Sequence, residues 1–262
     1  MIMAFIQARI SSTRFPGKVL RPILGKAMLE LEIERVRACK TIDGVVIVTS
    51  DLPEDRQIVD LGKRIGVEVF CGNLENVLDR FYQAALKYRP DHIVRLTGDC
   101  PLIDSQVVDD MVRLYLEKEC DYGTNCTPPT YPDGLDAEVF TFRALKEAHE
   151  EATLPSHLEH VTLFMDSQPE RFRTVNLAYG EDLSGLRWTV DEPEDFEFVK
   201  SVFEQLYPFN PQFDMKDVLA LLKARPELVA LNQRFIRNEG LLKSQEKDKE
   251  FLVSHGQGTP GT

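Results

Sequence analysis

The chain has 262 residues, 43% of them hydrophobic and 28% charged, which is enough to bury one substantial core and at most a small second unit. Its formal net charge of −12 repels phosphate over most of the surface, so broad binding to nucleic acid or to an anionic membrane is excluded and only a local anion site is left open. The five cysteines (Cys39, Cys71, Cys100, Cys120, Cys126) never stand in C-x-x-C spacing, no apolar run approaches the ~20 residues of a membrane span, and "MIMAFIQA" is too short for a secretory signal, so a reducing cytoplasm is the expected setting.

In chain order, "IMAFIQA" (2–8) and "GVVIVTS" (44–50) are short, nearly continuous apolar runs of strand type, and between them Leu29, Ile33 and Val36 recur at helical spacing. The unit reads βαβ. Ile58, Leu61 and Ile65 predict a second helix, "VEVFCG" (67–72) a third strand, Val77, Leu78, Phe81 and Ala85 a third helix, and "HIVRLTGD" (92–99) a fourth strand. Such alternation predicts an α/β fold of three layers, a mostly parallel central sheet with helices on both faces, whose ligands gather at the carboxyl ends of the strands.

The next stretch, "YGTNCTPPTYPDGLDAEVF" (122–140), reads as a long loop leading into a strand at 137–140. Helices are expected near 142–151 and 157–166. A strand "LRWTVD" (186–191) should follow, then a helix over 193–207 with Pro193 in its first turn and Phe196, Val199 and Phe203 on one face. From Lys243 the chain is polar, which predicts one folded domain over 1–242 and a polar, disordered tail over 243–262.

Three features carry chemistry. Residues 1–29 hold Arg9, Arg14, Lys18, Arg21 and Lys26 and no acidic side chain, and "IQARISSTRFPGKVL" (6–20) places three of these cations among Ser11, Ser12, Thr13 and Gly17 directly after the first strand. Small residues there let phosphate oxygens approach the backbone N–H groups, while a solvated basic turn is the competing reading. Neither the Walker nor the dinucleotide glycine pattern is present. Asp99 in "RLTGDCPLID" and Asp191 in "RWTVDEPEDF" each follow an expected strand, where a carboxylate suits a hard cation such as Mg²⁺ or, alternatively, fixes a turn or caps a helix. "HLEHV" (157–161) lacks the spacing of a zinc helix, Arg80 in "NVLDR" falls on the polar side of its helix, and Trp188 reads as core.

Together "IQARISSTRFPGKVL", "RLTGDCPLID", "YPDGLDAEVF", "LEHVT" and "RWTVDEPEDF" resemble the SpsF-like branch of the cytidylyltransferase family, whose wider membership includes the synthetases of CMP-sialic acid and CMP-Kdo. The resemblance runs from residue 2 to about 245. It implies a GT-A-like nucleotidyltransferase fold over 1–242, Mg²⁺ as cofactor, CTP or another NTP and a sugar acceptor as substrates, and a possible homodimer. By the same resemblance Arg9, Ser11, Ser12, Arg14 and Lys18 match the nucleotide loop, with Lys18, Arg9 and Asp99 expected to be catalytic. Asp99 and Asp191 match the metal carboxylates, and Asp79 and Arg80 a base and ribose contact. Cys100 stands where the Kdo branch has glutamate, and the sugar-binding residues have no clear counterpart, so the acceptor does not transfer. Asp133, Asp136, Glu138, Glu159 and His160 are candidates for acceptor contacts or for structural hydrogen bonds. The alternatives are a sugar-1-phosphate nucleotidyltransferase using another NTP, a GT-A-like glycosyltransferase, against which the chain has no D-x-D, and a non-catalytic nucleotide-binding protein.

Overall fold

The first strand, β1 (Ile2–Gln7), sends Ala4 and Ile6 to one face and Phe5 to the other, and all three are fully buried. A strand covered on both faces must lie inside a layered sheet, and each such Ile or Phe contributes about 1.5–3 kcal/mol by leaving water. In the computed structural model, which describes residues 1–237 and 239–254, the chain continues through a two-residue hairpin, β2 (Pro22–Ile23) and β3 (Lys26–Ala27), into α1 (Met28–Val36), then β4 (Gly44–Ser50), α2 (Arg56–Ile65), β5 (Glu68–Gly72), α3 (Val77–Tyr88) and β6 (His92–Thr97). The expected βα alternation is present over this half.

Beyond it lie α4 (Ser105–Glu117), β7 (Tyr122–Thr124), β8 (Glu138–Thr141), α5 (Phe142–Glu151), α6 (Pro155–His160), α7 (Leu163–Asp166), β9 (Thr174–Asn176), α8 (Pro193–Leu206), α9 (Met215–Ala224) and α10 (Glu239–Ser254). The seven-stranded sheet has the order β5-β4-β1-β6-β8-β7-β9, and only β8 runs against its neighbours. One apolar cluster packs α1, α4 and α8 on the Ala4 and Ile6 face, and a second packs α3 and α5 on the Phe5 face. The chain leaves β1 toward β4 and β5 and then crosses to β6. That reversal places the topological switch point, and with it the crevice that α/β sheets use for ligands, between the carboxyl ends of β1 and β6.

Four expectations change. The segment 186–191 is not a strand: it makes a single bridge, Asp133 to Arg187, because its N–H groups are taken elsewhere, those of Trp188 and Thr189 by the Asp133 carbonyl and that of Val190 by the Asp99 carbonyl. The helix expected over 157–166 is two short ones, broken at Val161 (φ 51°), which turns Thr162 and Leu163 toward a cavity. The long loop of 122–140 includes β7, which pairs with β8. The polar tail expected from 243 is helical through Ser254: α10 packs on α6, and Asp248 accepts the Ser156 N–H at 2.8 Å, so the 242/243 boundary is not a boundary of the fold. The remainder of that tail, 255–262, lies outside the described residues.

Candidate active site

The loop after β1 folds back on itself, with the Ile10 carbonyl accepting the N–H groups of Ser12 and Gly17. Gly17 has φ 71°, a left-handed conformation that a side chain disfavours, and this turn delivers Lys18 into the protein. Arg9, Ser12, Thr13, Arg14 and Lys18 line a hollow of about 200 Å³ whose other wall is Thr97, Gly98, Asp99 and Asp191. Arg9 and Thr13 are exposed on it, and Ser12 Oγ accepts the Phe15 N–H at 3.2 Å. Ser11 does not line that hollow.

Lys18 joins the pieces. Its ammonium, on a side chain only 8% exposed, lies 2.8 Å from Asp99 Oδ2, 2.9 Å from Asp191 Oδ1 and 2.7 Å from the Val190 carbonyl. Burial disfavours the Lys18 charge, yet the two carboxylates hold its pKa above the ordinary value. Burial would likewise push the Asp99 carboxyl up, and the Lys18 charge keeps it below the usual range. Arg14 reaches the same centre, 2.9 Å from Asp191 Oδ1, with Glu192 and Glu239 as further partners. Asp99 and Asp191, 92 positions apart, thus meet at one cation. Three oxygens converging on a positive charge form the hard donor set that Mg²⁺ prefers, so the residues present fit the ion. Among the described residues no group of three His, Cys, Asp or Glu side chains is placed to hold a metal ion.

A second cavity, about 330 Å³, opens on the far side of Asp99 and Asp191 and shares them, Arg14 and Thr97 with the basic hollow. Its walls are more acidic, with Asp133, Asp136, Glu138 and Asp166 beside Arg95, Tyr122, His160 and Thr162. Glu138 is pinned by Arg95, by Tyr122 Oη at 2.8 Å and by Thr162 Oγ1 at 2.6 Å. Arg237 holds Asp136 at 2.6 Å. Burial, with the Asp136 charge behind it, raises the Asp133 carboxyl to about 7. Gly240 and Leu241 of α10 complete the wall, and Ser244 Oγ bridges Glu159 (2.8 Å) and His160 (3.0 Å).

Two of the expected contacts are elsewhere. Asp79 lines neither cavity and is bonded to His149 Nε2 of α5 at 2.9 Å. Arg80 is not on a polar face but 1% exposed, its Nη1 on the Asn73 carbonyl at 3.1 Å, with burial and the nearby Arg9 lowering its pKa to about 10. Residues that the sequence reading passed over also belong here. Arg95 interrupts an apolar strand, a visible sign of a polar task, and Arg187 stands beside a core tryptophan in the same way. Arg237 and Glu239 carry no local sign at all. Beneath the site Glu32 of α1 is fully buried, neither carboxyl oxygen has a hydrogen-bond partner, and the Cys100 N–H facing it is committed to the Thr97 carbonyl at 3.1 Å. Burial and then the Asp99 charge raise its pKa well above the usual carboxylate value.

A basic loop at the switch point of a mostly parallel sheet faces Asp99, just past the end of β6, and Asp191, in the loop before α8, and solved nucleotidyltransferases share this fold. A synthetase of CMP-2-keto-3-deoxy-manno-octonic acid, solved with CTP, superimposes with a TM-score of 0.60 at 19% identity, over 78% of this chain and 98% of its own. A cytidylyltransferase from Leptospira borgpetersenii superimposes with a TM-score of 0.85 at 34% identity, over 90% and 99%. A family profile described as cytidylyltransferase matches residues 3–216, and the chain belongs to the cytidylyltransferase family. It is 33% identical over 233 residues to the spore coat polysaccharide biosynthesis protein SpsF of Bacillus subtilis, covering 86% of this chain and 95% of that one. It is 34% identical to an uncharacterised protein of Methanocaldococcus jannaschii, over 88% and 94%.

Proposed function

We propose that this protein transfers CMP from CTP to a sugar hydroxyl, releasing pyrophosphate, in cytoplasmic synthesis of a polysaccharide or glycoconjugate precursor. The observation that carries the reading is the meeting of two cavities, one basic and one lined with carboxylates and hydroxyls, at Asp99 and Asp191. Arg9, Ser12, Arg14 and Lys18 take the triphosphate in the basic hollow, and the sugar occupies the larger cavity, whose volume suits a small ligand. Asp99 and Asp191 are the residues that would hold Mg²⁺, which when bound would supply charge neutralisation at the reacting phosphate.

The protein's own contribution is placement and charge. Lys18 and Arg14 exchange their carboxylate partners for phosphate oxygens, and Glu138, fixed by three donors, orients the acceptor hydroxyls. The sugar oxygen then attacks the α-phosphorus as its hydroxyl proton passes to solvent water, the P–O bond to the β-phosphate breaks, and pyrophosphate departs with its negative charge met by Arg9 and Arg14. The test is pyrophosphate release across the four NTPs and a panel of acidic and neutral sugars, with and without Mg²⁺. Release that requires CTP, a sugar and Mg²⁺ together is the expected result, and release independent of all sugars, or preferring another NTP, refutes it.

A further inference from the structure

Arg187 lies in the segment expected to be a strand and found instead to link two loops. Its side chain is 6% exposed and every guanidinium nitrogen is engaged. Nε meets Asp195 Oδ1 at 2.9 Å, Nη2 meets Asp195 Oδ2 and Asp191 Oδ2 at 3.0 Å each, and Nη1 meets Asp133 Oδ2 at 3.2 Å. The forked contact with Asp195 is the geometry only arginine offers. Asp195 is itself fully buried and accepts the N–H groups of Asp191 and Glu192 and the side-chain amide of Asn232, each at 2.9 Å. One carboxylate therefore fixes both the backbone of Asp191 and the arginine that fixes its side chain. With Oδ2 held, Asp191 presents Oδ1 to Lys18 and Arg14.

On its other side Arg187 holds the acceptor cavity. The Asp133 carbonyl accepts Trp188 N–H at 2.6 Å and Thr189 N–H at 2.9 Å, and its own N–H donates to the Leu186 carbonyl at 2.9 Å. Gly134, at φ 111°, lies so close that a Cβ would come 2.5 Å from the Thr189 nitrogen, so no other residue brings the two segments together. Asp133 lines only the larger cavity, whereas Asp191 lines both. A group transfer between ligands in two adjoining cavities depends on their separation, and an error near 1 Å costs on the order of 10²-fold in rate.

We propose that Arg187 is a positioning residue that sets the nucleotide-side carboxylate Asp191 and the acceptor-side carboxylate Asp133 at a fixed separation from one guanidinium anchored on Asp195. The assignment rests on the CMP-transfer reading, which places nucleotide and acceptor on the two sides. The test compares wild type, Arg187→Lys and Asp133→Asn by circular dichroism and thermal melting, by calorimetric titration of CTP with and without Mn²⁺, and by pyrophosphate release with the acceptor identified in the panel. Arg187→Lys keeps the charge and loses the fork. It is expected to fold, to bind metal-free CTP within about threefold of wild type, to bind CTP with Mn²⁺ about tenfold more weakly, and to turn over about 10²-fold more slowly. Asp133→Asn is expected to raise the acceptor KM with CTP–Mn²⁺ affinity unchanged.

A folded Arg187→Lys within threefold of wild type in both CTP–Mn²⁺ affinity and kcat overturns the proposal, as does an Asp133→Asn that weakens CTP–Mn²⁺ as much as acceptor binding. If Arg187→Lys does not fold, the Asp133→Asn division between the two substrates decides. Absence of pyrophosphate release by wild type with every NTP and sugar defeats the CMP-transfer reading instead, and the CTP–Mn²⁺ titration still reads the hold of Arg187 on Asp191.

Discussion

Lys18→Met removes the ammonium that Asp99 and Asp191 share and keeps most of the side chain's length, and its consequences for metal and for nucleotide have opposite signs. The ammonium sits among three oxygens at 2.7–2.9 Å, so a divalent ion drawn to the same carboxylates lies roughly 4 Å from it. A divalent ion and a unit charge at that distance repel by about 8 kcal/mol at an effective dielectric near 20. If only about a sixth of this survives after the lysine swings aside, about 1.4 kcal/mol remains, a factor of about ten. Lys18→Met is therefore expected to bind Mn²⁺ without nucleotide at least about tenfold more tightly than wild type. Metal-free CTP loses a charged hydrogen bond of about 1.5–3 kcal/mol and should bind at least tenfold more weakly. Electron paramagnetic resonance titration of Mn²⁺ and calorimetric titration of CTP read the two constants separately. The variant should also melt at lower temperature without metal and recover more than wild type when Mn²⁺ is added. A folded Lys18→Met whose bare Mn²⁺ affinity is unchanged or weaker would refute the placement of Lys18 in the metal seat.

Glu32→Gln should stabilise the protein progressively as pH rises. The folded-state pKa of Glu32 is raised, so its wild-type contribution is fully present below the unfolded value near 4.5 and is lost above it, by up to about 1.4 kcal/mol per pH unit until the folded pKa is reached. Melting curves from pH 5 to 8 should fall for wild type and flatten for the variant, and parallel curves would show that the carboxyl finds a partner. Truncation after Arg237 removes α10, with the bonds of buried Ser244 and of Asp248 to the Ser156 N–H. The expected cost is about 2 kcal/mol, or roughly 4–8 °C in Tm, together with a raised acceptor KM because Gly240 and Leu241 leave the cavity wall. An unchanged Tm and KM would show that the helix is dispensable. Asp99→Asn and Asp191→Asn should each abolish most turnover, and the double variant should resemble either single one, because one lost ligand already disables a shared site. Folded single variants with normal turnover and Mg²⁺ dependence would reduce both residues to turn and cap roles.

The parallel half of the sheet was legible because its strands are buried on both faces, as Phe5 against Ala4 and Ile6 shows, and its helices keep one apolar stripe. The site loop, Asp99 after β6 and Asp191 before α8 were legible because charge and glycine stand against an acidic background and against apolar runs, although the segment that carries Asp191 is not the strand its composition suggests. Glu32 was visible in principle, lying three residues after Leu29 and one before Ile33 inside the buried stripe of α1. The second half was harder because its order comes from distant partners. "LRWTVD" has the composition of a strand, yet the carbonyls of Asp133 and Asp99 take its N–H groups, and no local pattern announces that. α10 is polar on most of its surface and buries only Ser244, so it offers no stripe to read, and its place on α6 is set by hydrogen bonds to Glu159, His160 and Ser156.

The basic loop of this acidic chain is not a free cationic surface, because its central cations are already satisfied: Lys18 by Asp99 and Asp191, Arg14 by Asp191, Glu192 and Glu239. On the CMP-transfer reading, triphosphate binding is an exchange of partners, and its affinity is the difference between two sets of ion pairs. The exchange has a directional consequence. Each ammonium or guanidinium drawn to phosphate uncovers a carboxylate oxygen of Asp99 or Asp191, which are the groups that suit a divalent ion. A divalent ion on those oxygens in turn bars the cations from returning, so nucleotide and metal each raise the other's affinity by the same factor. Weak binding of either ligand alone and tight binding of both together follow from the charge arrangement of the free protein. Equal CTP affinity with and without Mn²⁺ would contradict it.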